Sequence, residues 1–189
     1  MEAIKVPHDR LALDTGPKDE TLMSRVVAGD ASAADALVQR YQHTLFSFLY
    51  RLTLNTADTE DLFQETWLRL LRYRNTFRIG SKFSTWLFQI AVNCTRDLLS
   101  HKMPAVPVKD DMAVSAADIT DQPLENRDNV AAIVEHLPLP QREVLVLKYF
   151  HDMKETEIAA LLEIPLGTVK SRLHNAMACV RRFYEQQEA

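Results

Sequence analysis

Apolar residues recur at helical spacing through most of this chain, and period-two strand alternation is absent. Residues 19–28 suit one short helix, closed by Gly29. Asp30 is a candidate N-cap for a longer helix running to about Leu54. Its apolar set, Leu37, Tyr41, Leu45, Phe48, Leu49 and Leu52, steps mostly by three and four. Thr56 offers a further N-cap, with Asp58, Glu60 and Asp61 near the positive end of the helix dipole. This third helix runs to about Tyr73 and has a broad apolar side of Leu62, Phe63, Trp67, Leu70 and Leu71. Residues 75–82 contain Gly80 and read as a loop. A fourth helix, about Phe83 to Ser100, is expected to bury Leu87, Ile90, Ala91, Cys94 and Leu98.

Residues 103–128 hold Pro104, Pro107 and Pro123 with little periodicity, the pattern of a linker. A second helical unit spans about Asn129 to Tyr184, divided by Pro138 and Pro140 and again by Pro165–Gly167. The expected fold is all-α: two small helical domains joined by a flexible acidic linker, the C-terminal one containing a helix-turn-helix. The segments are a loose tail (1–18), a first domain (19–102), the linker (103–128) and a second domain (129–189).

Composition narrows the function classes. The chain has 189 residues, 47% hydrophobic and 25% charged, which suits globular domains rather than wholesale disorder. No apolar run approaches membrane-spanning length, and the first residues lack the apolar centre of a signal peptide, so a cytoplasmic protein without membrane insertion is expected. Cys94 and Cys179 lie 85 positions apart, which excludes a disulfide framework or a CxxC zinc site. The six histidines are scattered, and no glycine-rich phosphate loop or HExxH motif is present. No enzyme, cofactor or metal site is expected.

Net charge is −4, but the charge is segregated. Residues 36–102 carry nine bases against five acids, residues 103–128 two against six, and residues 164–184 hold Lys170, Arg172, Arg181 and Arg182 with no acid. Local potential, not the average, decides whether a phosphate is attracted.

Glu155–Leu173 has a helix-turn-helix layout: a short helix (Glu155–Leu162), a turn with Pro165 and Gly167, and a second helix starting near Thr168. On that second helix Val169, Leu173, Ala176, Met177, Val180 and Tyr184 cluster on one side and should pack inward. Ser171, His174, Asn175, Arg181 and Arg182 fall opposite, with Lys170 on the flank. Such a helix can enter a major groove, with polar side chains at base edges and basic ones at phosphates.

Four segments then carry a family resemblance. Leu166-Gly-Thr-Val-Lys-Ser-Arg-Leu173 resembles the recognition helix of bacterial sigma factors of the extracytoplasmic-function (ECF) group. Leu137–Tyr149 resembles the helix that opens the DNA-binding half of the same domain. Asp58–Leu68 resembles the core-polymerase-binding segment, and Phe83–Asn93 the promoter-melting segment. The resemblance covers about residues 20–186.

It implies a sigma factor that binds core RNA polymerase and directs promoter-specific initiation, reading the −35 element as duplex and the −10 element as a melted strand. Core-polymerase contacts are implied at Asp58, Asp61, Leu62, Gln64, Glu65, Leu68 and Arg72, of which Asp61, Gln64, Glu65, Leu68 and Arg72 share one helical face. The −10 element falls to Arg78, Gly80, Ser81, Lys82, Phe83, Trp86, Gln89, Asn93 and Arg96. There an aromatic face can cap the last base pair and cations can attract phosphates. The −35 element falls to Thr168, Lys170, Ser171, Arg172, His174 and Asn175. Promoter DNA and an anti-sigma factor are the other implied partners. The family's fourth helix usually ends richer in Arg and Lys than Arg96, His101 and Lys102 make it here. A stand-alone helix-turn-helix repressor is the alternative; it would leave the 58–65 segment and the Trp86 face without purpose.

Overall fold

The computed structural model describes residues 16–78, 80–102 and 134–187, the side chains of 184, 186 and 187 excepted. Residues 1–15 of the expected tail, the linker at 103–128, the start of the second domain and the Tyr184 side chain, expected to face inward, lie outside the described residues; the last tail residues are held, the Pro17 carbonyl accepting Arg40 Nη1 at 3.2 Å. Every regular element among the described residues is helical.

In the first unit α1 (Asp19–Val27), α2 (Ala31–Thr53), α3 (Thr56–Tyr73) and α4 (Phe83–Lys102) pack around an aliphatic and aromatic core. Gly29, at φ +92°, turns the chain out of α1. Asp30 then caps α2: its Oδ1 accepts the Ser32 and Ala33 amides at 3.0 and 3.4 Å. The Ser32 hydrogen bonds and Arg25 hold its carboxyl down at about 2. The apolar set expected of α2 is buried throughout.

The cap of α3 is Asn55, not Thr56. Extended backbone at Asn55 lets its Oδ1 accept the Asp58 amide at 3.0 Å, and Thr56 becomes the first helical residue. A short 3-10 turn (Arg74–Thr76) continues α3 where a loop was expected, and Phe77 closes it into the core. Helix α4 runs two residues past Ser100 and is buried on two sides. Leu87, Ala91 and Cys94 face the first unit's core as expected; Ile90 and Leu98 are only half-buried. Phe88, Val92 and Thr95 are also buried, because the second unit covers a second side of the helix.

That second unit comprises α5 (Leu139–Tyr149), α6 (Glu155–Leu162) and α7 (Leu166–Gln187). Pro138 caps α5 and Pro140 sits in its first turn, where a missing N–H costs nothing. The turn between α6 and α7 pivots on Glu163, at φ +56°, rather than on Gly167, which lies inside the first turn of α7. Helix α7 thus begins two residues ahead of Thr168. Val169, Leu173, Ala176 and Val180 point inward as expected, and Met177 is half-buried.

Apolar side chains of the two units form one continuous cluster, reaching from Leu22 to Leu173. At the seam, Phe48 of α2 and Phe88 of α4 stack edge-on at 4.8 Å between ring centres. The His151 ring lies 5.2 Å from the first and 4.5 Å from the second. Arg51 lies 4.2 Å over the Phe150 ring, and Arg142 Nη1 donates to the Leu52 carbonyl at 2.6 Å.

Candidate nucleic-acid interface

The outer face of α3 carries alternating polar and apolar side chains. Asp61, Gln64, Leu68 and Arg72 are exposed, Leu68 to 56%. Glu65 is half-buried, with its Oε1 2.6 Å from Arg69 Nε, and Arg69 also reaches Asp97 of α4 at 2.6 Å. Asp58 is tied to Lys102 in an ion pair. Leu62 does not belong to this face: at 3% exposure it is a core residue that supports the helix from behind. Leu71 and Tyr73, 39% and 50% exposed, extend the apolar patch around Leu68 instead. Leu71 was expected in the core, yet it stands three residues after Leu68, a spacing that places it beside that residue.

The second surface starts at the 78–82 turn. The Arg78 carbonyl accepts the Ser81 amide at 3.1 Å, and Gly80, at φ +93°, supplies the positive φ that this turn needs. Arg78, Gly80, Ser81 and Lys82 are all exposed. Phe83 is not: it is fully buried between the Tyr41 and Phe77 rings, and anchors the start of α4. The Phe83 amide donates to Glu20 Oε1 at 3.4 Å. Trp86 is half-buried, its ring 5.2 Å from Phe77, so one edge packs on the core while the rest stays open. Asn93 is exposed.

The remaining polar members of this surface meet the second unit. Lys82 Nζ lies 2.6 Å from Glu157 Oε1. Gln89 Nε2 donates to Glu163 Oε1 at 2.9 Å. Arg96 makes a two-pronged pair with Glu143, at 2.8 and 2.7 Å. The Glu143 side chain is 1% exposed, and its hydrogen bonds raise the Arg96 pKa. These acidic partners were not foreseen, since they lie 47 to 75 positions away in sequence.

The third surface is the start of α7. Lys170 and Ser171 are exposed; Thr168, Arg172, His174 and Asn175 are half-buried. The Thr168 amide bonds to the Pro165 carbonyl at 2.9 Å, and Ser171 Oγ donates to the Thr168 carbonyl at 3.1 Å. His174 Nε2 is buried with no hydrogen-bond partner among the described residues. Among the described residues no cluster of His, Cys, Asp or Glu could hold a metal, and no helix is long and apolar enough to cross a membrane.

Residues 37–103 match the family model for sigma-70 region 2, and residues 127–180 that for sigma-70 region 4. The chain is 30% identical over 174 residues to the ECF RNA polymerase sigma factor SigW of Bacillus subtilis, covering 85% of this chain and 93% of that protein. The chain belongs to the ECF group of RNA polymerase sigma factors. The sigma-E factor of Escherichia coli strain K12 is 31% identical over 176 residues, 86% of this sigma factor and 92% of that one. In fold, it is similar to CnrH in complex with the cytosolic domain of CnrY, with TM-score 0.66, 22% identity, and coverage of 89% of this chain and 97% of that one. A second fold match is RpoE bound to the anti-sigma factor NepR from Bartonella quintana, with TM-score 0.63, 22% identity, and coverage of 80% and 96%. As a sigma factor, the protein acts in transcription initiation, with core RNA polymerase and promoter DNA as its partners.

Proposed function

We propose that this sigma factor splits promoter recognition between its two units. The start of α7 reads the −35 element as duplex, with Thr168, Lys170, Ser171, Arg172, His174 and Asn175 facing the major groove. The 78–82 turn and the Trp86, Gln89, Asn93 and Arg96 face of α4 take the −10 element as a single strand. The exposed face of α3, from Asp61 to Arg72, docks on core polymerase. Asp58 borders that face, while buried Leu62 and Phe83 fix the positions of their helices.

The observation that carries this reading is the pairing, in one chain, of a helix-turn-helix with a separate turn-and-helix surface. On the latter, exposed cations flank a half-open tryptophan. A duplex reader needs only the first; a protein that also holds a melted strand needs both. An anti-sigma factor that covers the α3 and α4 faces would complete the system, and the site of action is the cytoplasm. Residues 1–18 would be a tail and 103–128 a tether between the two promoter-reading domains.

The test is run-off transcription with purified protein, bacterial core polymerase and a genomic fragment library. Discrete transcripts that require the protein, and weaken with Asp61→Ala/Gln64→Ala, are expected. Tight operator binding by the protein alone, with no polymerase association, would overturn the reading in favour of a repressor.

A further inference from the structure

Arg69 belongs to none of the three surfaces, yet it grips a member of one. It stands one residue past Leu68 on α3, with its side chain 28% exposed. Its Nε donates to Glu65 Oε1 at 2.6 Å, one turn back along the same helix. Its Nη1 donates to Asp97 Oδ2 of α4, also at 2.6 Å. The bonds to Glu65 and to Asp97 raise the Arg69 pKa, so its charge is permanent. The grip on Glu65 uses only Oε1. Oε2 has no hydrogen-bond partner among the described residues, although the side chain is 38% exposed.

A lone Glu–Arg pair four residues apart on a helix holds both side chains loosely and adds little to stability. Asp97 changes this. It comes from a second helix, 28 positions along the chain, and takes a different nitrogen of the same planar guanidinium. With two nitrogens engaged on two helices, the fork has one orientation, and Glu65 is held to it. Glutamate loses rotamer freedom when a partner binds, and a side chain already ordered in the free protein does not incur that cost again.

We infer that Arg69 is a positioning residue of the polymerase-docking face: braced by Asp97, it holds Glu65 in one rotamer, with Oε2 ready for a cationic donor of the polymerase. Asp97, 55% exposed and on α4, acts on docking only through Arg69. The inference rests on the reading of the α3 face as the docking face. A lysine at 69 would not serve, because an ammonium on a flexible stem is a point charge without the rigid fork.

The test is the affinity of the full-length chain for surface-immobilised bacterial core polymerase, with a melting curve for each variant. Asp97→Asn removes the brace from outside the docking face, and Arg69→Met removes the grip itself. Asp35→Asn removes the same charge from an exposed position of α2. Asp97→Asn is expected to weaken capture by about three- to tenfold, which is what ordering one long side chain is worth. Arg69→Met should lose at least as much, and Asp35→Asn less than twofold. Asp97→Glu, which keeps a carboxylate for Arg69, should restore capture to within twofold of wild type. In a Glu65→Gln or an Arg69→Met background, Asp97→Asn should have no further effect. Melting temperatures should stay within a degree or two throughout, so the coupling between Asp97 and Glu65 shows in docking and not in stability.

Unchanged capture by Asp97→Asn would overturn the inference. So would an equal loss with and without the Glu65 carboxylate, since Asp97 would then act by another route. Leu68→Ala/Gln64→Ala is measured alongside. If that variant weakens capture while Asp97→Asn does not, the positioning role fails and the docking face stands. If neither weakens capture, the docking-face reading fails, and this inference fails with it.

Discussion

At the residue scale, burial decides which side chains can act. His151 sits against two phenylalanine rings, and burial, with Arg51 nearby, pushes its pKa down to about 4. The folded state therefore binds a proton less readily than the unfolded chain, whose imidazole titrates near the ordinary 6.5. The sign follows: the neutral ring costs nothing above pH 6.5, and stability falls as pH drops from 6.5 towards 4, by up to about 3 kcal/mol. Urea midpoints measured across that window should decline for the wild type and stay nearly level for His151→Phe. Arg96 gives a second case. Removing its cation by Arg96→Met leaves the buried Glu143 carboxylate without a partner. The expected cost is about 2 kcal/mol in urea unfolding, with most of it recovered when Glu143→Leu is added. Cys94 belongs to the same scale: burial raises its thiol pKa, so it should resist a thiol reagent until the protein unfolds, while half-buried Cys179 reacts first.

At the element scale, the ends of helices are set by single side chains whose roles local sequence nearly reveals. Asn55 and Thr56 are adjacent residues with capping chemistry, and the sequence alone could not choose between them. Asn55 wins because its extended backbone aims the amide oxygen at the Asp58 amide. Asn55→Ala should cost about 1 kcal/mol in thermal unfolding, and Thr56→Ala much less. The α6–α7 turn is a similar lesson. Pro165 and Gly167 advertise a turn, but the left-handed residue is Glu163. A Glu at positive φ carries no sequence signal, and its position matters, since it brings its carboxylate to Gln89.

At the scale of the whole molecule, the outer face of α3 stands open while an apolar seam joins the two units. Leu68, Leu71 and Tyr73 expose apolar area beside Asp61 and Gln64, the mixture found at the centre of helix-on-helix contacts. Leu68→Ala/Gln64→Ala should weaken capture of core polymerase by about tenfold or more, with a melting temperature within a degree or two of wild type, because neither side chain supports the core. Surface-immobilised core enzyme and a dilution series of each protein would check it.

Much of this protein was legible one residue at a time. Helical periodicity placed α1 to α4 and the helix-turn-helix within a few residues, because each amphipathic stripe must face a core whatever its partner is. The inward stripe of α7 followed from the same local rule, and Gly80 marked the turn that leaves Arg78 and Lys82 exposed. What periodicity could not supply was the identity of the surface opposite each stripe. Phe88, Val92 and Thr95 are buried, and Arg96 meets a buried glutamate, because a second unit lies against α4. Those outcomes depend on groups more than forty positions away, and no local pattern encodes them. Local periodicity and charge dictate which elements form and which side of each helix is apolar or polar. The tertiary structure alone decided which of those faces is open in the free chain, because occupancy of a surface depends on distant side chains brought together by the burial of Phe48, Phe88 and His151.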